Sequence, residues 1–544
     1  MRKYFYPLFV VLFIVIAALA LKWQGALWSL IVIVPLFIMG IYDMHQTKHA
    51  IRRNFPIAGR LRYLFESIRP EIQQYFVESD TSGQPFNRLE RSLVYRRAKK
   101  VNDTVPFGTQ LDVYKADYHW INHSISALDP HSLDHNPRVM IGSSQCAQPY
   151  PSSLFNISAM SFGSLSKNAI LALNGGAKIG EFFHNTGEGG LSPHHLAPGG
   201  DICWNIGTGY FSCRNFDGTF NFEEYKKRAT LPNVKMIEVK FSQGAKPGHG
   251  GILPKEKVTD EIAEIRLVEK GNDIISPPYH SAFTTPREFV HFVKKLRDGN
   301  GGKPVGFKIC IGNRSEFIAI CKAMVEEQIY VDFIAVDGGE GGTGAAPLEF
   351  TNYVGMPLKD AIVFVHDTLK GFGIKDQIKI IASGKVTSGF HIMECLSHGA
   401  DLCNSARGMM FALGCIQALR CNDNECPTGV ATQKRHLVKG LVVADKKVRV
   451  ANYHNETVKS AVELMGAAGI DHPDKVERFV MFRRVSRTEV ETLEQTYPEV
   501  EPGCMLQESS VPEKYLASWK GASADRFKSY RLVEKKTTQP LETV

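Results

Sequence analysis

Three cysteines fall within twelve residues, in the order Cys415-x5-Cys421-x4-Cys426, and Pro427 closes the group. Thiolates are soft metal ligands, and three at this spacing ended by Cys-Pro suit an iron-sulfur cluster. They fit a three-iron cluster, or a four-iron cluster completed by a non-cysteine ligand. Zinc would need a fourth ligand, and neither His436 nor Cys403 stands at a usual distance along the chain. The full count of eleven cysteines in 544 residues lacks the dense, even spacing of a disulfide framework, so a reducing compartment is expected.

A second set of chemically capable residues sits in short glycine-rich segments. Asn185-Thr-Gly-Glu-Gly-Gly190 flanks the carboxylate of Glu188 with glycines, and Gln243-Gly-Ala-Lys-Pro-Gly248 presents Lys246. A lysine beside a glutamate in a partly closed pocket can position an anionic substrate and move protons. The small residues around Ala159, Met160 and Ser161 let backbone approach a flat ring. Gly384-Lys385 and Arg407-Gly408 pair glycines with cations, a combination suited to phosphate. Lys308, between Phe307 and Ile309, is expected to point inward, where it can stabilise negative charge on a reduced ring.

These segments need a scaffold that brings them to one place. Beyond Ser152 the chain alternates short apolar runs with helical patterns, which predicts a parallel sheet. The runs are Leu154–Met160, Glu181–Asn185, Met236–Phe241, Asp273–Ile275, Val305–Ile309, Phe333–Val336, Ile378–Ile381 and Asp401–Cys403. Eight of them predict an α/β fold, a closed (β/α)8 TIM barrel, whose active site would lie at the C-terminal strand ends. Helices are expected over Arg287–Leu296, behind Thr285-Pro286, and over Arg314–Glu327 and Lys359–Lys370.

The N-terminus reads differently. Tyr4–Leu21 and Ala26–Ile41 are apolar stretches long enough to cross a bilayer, separated by Lys22-Trp-Gln-Gly25. Arg2 and Lys3 precede the first, and Lys48, Arg52 and Arg53 follow the second. The positive-inside rule then places both ends in the cytoplasm, giving a two-helix, multi-pass protein of the cell membrane with its catalytic body cytoplasmic. The expected organisation is a transmembrane hairpin over 1–45, a lead segment over 46–150, the barrel with its cysteines over 151–480 and a C-terminal extension over 481–544. An amphipathic stretch spans Ala58 to Phe76, with no chemistry attached to it. His119, His123, His131 and His135 lack a tight ligand spacing and read as structural or surface residues. The net charge of +8 has no basic run interleaved with aromatics, so nucleic acid is not an expected partner.

Taken together, these segments resemble the FMN-binding synthase domain of glutamate synthase and the smaller glutamate synthase-like proteins. The similarity runs from Ile157-Ser-Ala-Met-Ser-Phe-Gly163 through the Glu188 and Lys246 segments, Ile275-Ser-Pro-Pro278, Asp337-Gly-Gly339, Gly341-Gly-Thr-Gly-Ala345 and Leu413-Gly-Cys415 to Gly429-Val-Ala-Thr-Gln433. The resemblance implies FMN at the strand ends, served by Ala159, Met160, Ser161, Gln243, Lys308, Asp337, Gly338, Gly384, Lys385, Arg407 and Gly408. It implies a 3Fe-4S cluster on Cys415, Cys421 and Cys426. It also implies 2-oxoglutarate and ammonia as substrates, with Glu188 and Lys246 catalytic and Arg266 beside Lys246 in substrate binding. Where the large enzymes read Gly-Glu-Gly-Gly-Gln, this chain reads Gly248-His-Gly-Gly-Ile252. Met1-Arg2 leads into an apolar helix rather than a glutaminase domain, so ammonia is expected from outside. With no Gly-x-Gly-x-x-Gly after a strand, the electron donor is expected to be a separate protein or a small carrier.

Overall fold

The computed structural model describes residues 2–528, in two compact units that divide between Arg88 and Leu89. The expected C-terminal extension is therefore described to residue 528; its remainder, Pro540 included, lies outside the described residues.

The second unit is built on a closed parallel barrel. Its strands in chain order are β1 (Phe155–Ile157), β2 (His184–Asn185), β3 (Ile202–Ile206), β4 (Val234–Lys240), β5 (Val305–Ile309), β6 (Phe333–Asp337), β7 (Lys379–Ser383) and β8 (Leu402–Ser405), and β8 pairs with β1 to close the ring. The eight-stranded barrel was predicted, but one of its strands was assigned to the wrong residues. Ile274–Ile275 pairs antiparallel with Ile252–Leu253 in a two-stranded ribbon outside the barrel. The place is taken by β3, Ile-Cys-Trp-Asn-Ile, all five residues buried. Only the four-residue helix Pro193–Leu196 separates β2 from β3, so the alternation of run and long helix that signals a barrel is missing there.

Leu154, Phe183, Phe333 and Leu402, at or just before the strand starts, and Met236 and Ile381, two residues into theirs, share one buried cluster with Val139, Ile141 and Tyr150. The antiparallel pair Arg138–Ile141 and Tyr150–Ser153 thus plugs the N-terminal end of the barrel. The C-terminal strand ends are left to carry the site.

The helices follow the sequence closely: Pro286–Gly299 behind a Thr285 capping box, Arg314–Glu327 and Leu358–Gly371. Helix Lys167–Gly180 packs against the long helix Val443–Ala467. At Gly176 a β-carbon would come within 2.5 Å of Val450 Cγ1, so this close approach needs glycine. Ser166 caps Lys167–Gly180 by accepting from Ala169 N–H, and its hydroxyl donates to Gly429 O at 2.7 Å. Ser166→Ala is expected to cost about 1–2 kcal/mol in a denaturant titration, because it removes both a cap and a tie to the cysteine segment.

In the first unit, two helical stretches, Arg2–Ala20 and Gln24–His45, are long and apolar enough to cross a membrane. Phe5, Phe9, Phe13 and Phe37 pack their rings together between them. The chain then turns through the short helix Ala50–Asn54 into the helix Ala58–Ile72.

Candidate functional site

Lys240 is the last residue of β4, and its Nζ lies 2.8 Å from Glu188 Oε2, just past β2. Burial pushes the Glu188 carboxyl up, but Lys240 first, then Lys246 and Arg266, overcome it and hold the acid below its ordinary value. Glu188 is therefore ionised at neutral pH. Space for it comes from the glycine ribbon opposite: a β-carbon on Gly251 would stand 2.3 Å from Glu188 Oε1.

Lys246 is buried and donates to Ala345 O at 3.1 Å. Burial lowers its pKa and Lys240 adds to that, while Glu188 works the other way. Arg266 ends the helix Asp260–Arg266, donates to Phe162 O at 3.1 Å and lies over the Phe211 ring. Burial lowers its pKa to about 10 against the pull of Glu188, and among the described residues its Nε has no partner. One carboxylate thus faces three largely buried cations.

A cavity opens beside this group, lined by Ala159, Met160, Ser161, Glu188, Gln243, Lys246, Ile252, Arg407 and Cys421. Arg407 reaches across to Thr343 O, in the loop after β6. Eight of the seventeen predicted site residues line this cavity: Ala159, Met160, Ser161, Glu188, Gln243, Lys246, Arg407 and Cys421. Lys308 and Asp337 do not line the cavity. They pair at 3.1 Å inside the barrel, and Asp337 also accepts from Gly244 N–H at 2.8 Å, bracing the loop that carries Lys246. Burial disfavours the Lys308 ammonium, yet Asp337 and Glu238 raise its pKa above the ordinary value. Gly384 packs on Leu358 and Gly408 on Tyr453, and Lys385 follows with a left-handed backbone at φ 53°. At Gly338 a β-carbon would meet Glu340 Oε2 at 2.4 Å.

The three clustered cysteines follow the helix Arg407–Leu413, which ends at Gly414 with φ 110°. Burial pushes the Cys415 thiol up to about 11, with Cys421 and Cys426 adding to the rise. The three thiols therefore share one electrostatic neighbourhood. Among the described residues no group of three His, Cys, Asp or Glu side chains is placed so that it could hold a metal ion, the three clustered cysteines included.

Residues 104–471 match the family described as the conserved region in glutamate synthase. The chain belongs to the glutamate synthase family. By that membership it is an oxidoreductase. It is 38% identical over 484 residues to the glutamate synthase large subunit-like protein YerD of Bacillus subtilis (strain 168), a match covering 81% of this chain and 92% of that one. It is 37% identical over 317 residues to an archaeal glutamate synthase (NADPH) of Methanocaldococcus jannaschii, with 58% of this chain and 59% of that one aligned. Against the glutamate synthase (NADPH) large chain of Bacillus subtilis (strain 168), the match covers 59% of this chain and 20% of the other.

Two residues of this glutamate synthase family member escaped sequence reasoning. Lys240 was missed although it lies three residues before Gln243; alternation along β4 could have turned it toward the lumen. Lys257 carries no local signal at all. Its buried ammonium donates to Ser164 O at 3.2 Å, Cys421 O at 2.7 Å and Ala431 O at 3.0 Å, tying the loop after β1 to both ends of the cysteine segment. Gln433 reinforces the tie through Gly163 O at 3.0 Å and Leu165 O at 2.9 Å. Lys257→Met would leave three inward carbonyls without their donor, at about 1–3 kcal/mol for each group left buried and unpaired. Amide exchange of residues 415–433 is expected to accelerate while the barrel strands stay protected.

Proposed function

We propose that the chain reductively aminates 2-oxoglutarate to glutamate, using ammonia supplied from outside. On this reading it is an FMN and iron-sulfur enzyme held at the cytoplasmic face of a membrane by its N-terminal hairpin. The observation that carries it is the charge balance at the barrel mouth. An ionised Glu188 stands among Lys240, Lys246 and Arg266, and the surplus of positive charge suits a dicarboxylate.

The residues divide the work. Arg266, with its unpartnered Nε, and Lys240 suit the two substrate carboxylates. Lys246, destabilised as an ammonium by burial, suits protonation of the hydroxyl that leaves when ammonia has added to the keto carbon. Glu188 suits acceptance of the proton that the added nitrogen gives up. The imine so formed is then ready for hydride, which FMN, once bound and reduced by the electron donor, would supply. The donor set fits that cofactor: Ala159, Met160 and Ser161 offer a low wall for a ring, Gln243 a side-chain amide, and Lys385 and Arg407 positive charge for phosphate at neighbouring strand ends. Cys415, Cys421 and Cys426 would hold a 3Fe-4S cluster, which stores electrons one at a time on their way from a separate donor protein. What supports this assignment is the Cys415-x5-Cys421-x4-Cys426 spacing closed by Pro427.

One observation favours a second substrate. Ile252 lines the cavity near these cations, so a keto acid with a more apolar tail would also find a surface there. The test is anaerobic turnover of the purified full-length protein with a chemical reductant, ammonia and a panel of keto acids. Glutamate formed from 2-oxoglutarate with flavin reoxidation is expected. Turnover only with apolar keto acids would replace the substrate, and flavin that no keto acid reoxidises would reduce the protein to an electron-transfer subunit.

A further inference from the structure

The helix Ala58–Ile72 lies outside all of the chemistry above. Leu61, Leu64, Phe65, Ile68 and Ile72 recur at i, i+3, i+4, i+7 and i+11, which gathers them into one stripe. Every one is exposed, from 39% at Ile68 to 60% at Phe65, and Phe76 in the following turn is 83% exposed. A helix of fifteen residues with an uncovered apolar stripe is marginal in water, because packing of that stripe normally supplies most of a helix's stability.

Two observations identify what covers it. The first is continuity with the apolar hairpin. The buried Asp43, near the end of Gln24–His45, accepts from Arg60 Nε at 2.8 Å and Nη2 at 2.8 Å and from Ile57 N–H at 3.1 Å. The start of the amphipathic helix is therefore clamped to the end of the second hairpin helix. The second is charge. Residues 48–77 carry Lys48, Arg52, Arg53, Arg60, Arg62 and Arg69 against Glu66 and Glu71 alone. Arg62 and Arg69 are exposed on one shoulder of the stripe, where long side chains can reach headgroups while the apolar residues enter the acyl boundary.

We propose that Ala58–Ile72, continued by Gln73–Val77, lies in the plane of the membrane as an interfacial helix that binds an anionic lipid surface. This rests on the hairpin's being a membrane anchor and adds a second, composition-sensitive contact beside it. A basic segment next to a spanning helix is attracted to an anionic leaflet, and that attraction fades with salt.

The full-length protein is reconstituted at one copy per nanodisc, in zwitterionic lipid or in lipid with a third of anionic phosphatidylglycerol, and amide exchange is followed by mass spectrometry. Amides of residues 58–77 are expected to exchange at least tenfold more slowly in the anionic discs, with the difference shrinking in high salt. The double variant L64E/F65E is expected to lose that protection while residues 5–20 and 30–45 stay protected. Exchange over 58–77 that ignores lipid charge and is the same in L64E/F65E overturns the proposal. Protection that appears only with two copies per disc also overturns it, in favour of a contact between chains. Rapid exchange of 5–20 and 30–45 instead marks failure of the anchor itself.

Discussion

Glu188→Gln is expected to lower kcat/KM by about a hundredfold to a thousandfold while flavin absorbance per chain stays unchanged. The substitution keeps shape and removes charge. Lys240 loses the carboxylate 2.8 Å away, and the proposed proton acceptor disappears. A pH profile separates this from a mere packing defect. In the wild type Glu188 is held below its ordinary value, so the acid limb should stay flat down through the usual carboxylate range. Burial lowers Lys246 and Glu188 partly opposes that, so activity should fall with rising pH before a free lysine would titrate. Without Glu188 that opposition is gone, and the alkaline limb should move to lower pH still. An unchanged alkaline limb in the variant would show that the two groups do not act together.

Asp367→Ala is expected to destabilise the second unit by about 3–5 kcal/mol, the usual cost of breaking one side of a buried ion pair. Asp367 is fully buried on the helix Leu358–Gly371 and accepts from Arg478 Nη2 at 2.6 Å and from Tyr515 Oη at 3.0 Å. It therefore joins the helix Leu358–Gly371 to Arg478, near the end of the barrel segment, and to Tyr515 of the C-terminal extension. The loss leaves the Arg478 guanidinium buried without its partner, so adding Arg478→Met should recover part of the stability. Thermal unfolding of both variants reads this out. The pair also sets a pH window. Burial raises the Asp367 carboxyl, but His366 and Arg478 bring it down to about 2. Its contribution is complete above the unfolded value near 3.8 and is lost as pH falls through the folded one.

Much of this architecture was legible because the signals are local. Short apolar runs ending in glycine or a polar residue, separated by capped helical patterns, marked seven of the eight barrel strands. Arg314–Glu327 matched to the residue, since Asn313 caps it and Gln328 ends it in a left-handed turn. The failure at β3 has the same root. A strand reached through a four-residue helix has no local periodicity to announce it, while Ile274–Ile275 has the composition of a strand and a different partner. Glu188, Lys246 and Arg407, which line the cavity, were legible as candidates because unusual glycine-rich text surrounds them. Lys240 and Lys257 were not, because a lysine looks the same in sequence whether it faces solvent or three buried carbonyls.

By itself, the sequence determined seven of the eight barrel strands, the spacing of the three cysteines and the two apolar N-terminal stretches, all of which depend on residues near one another in the chain. Only the tertiary structure decided how the charges combine. It placed Lys240 against Glu188 across more than fifty residues, set Lys308 against Asp337 rather than in the cavity, and ran Lys257 between two distant loops. The physical reason is that burial and Coulomb pairing belong to distances in space. The depressed pKa of Glu188 and the lowered pKa of Lys246 exist only once the barrel has closed.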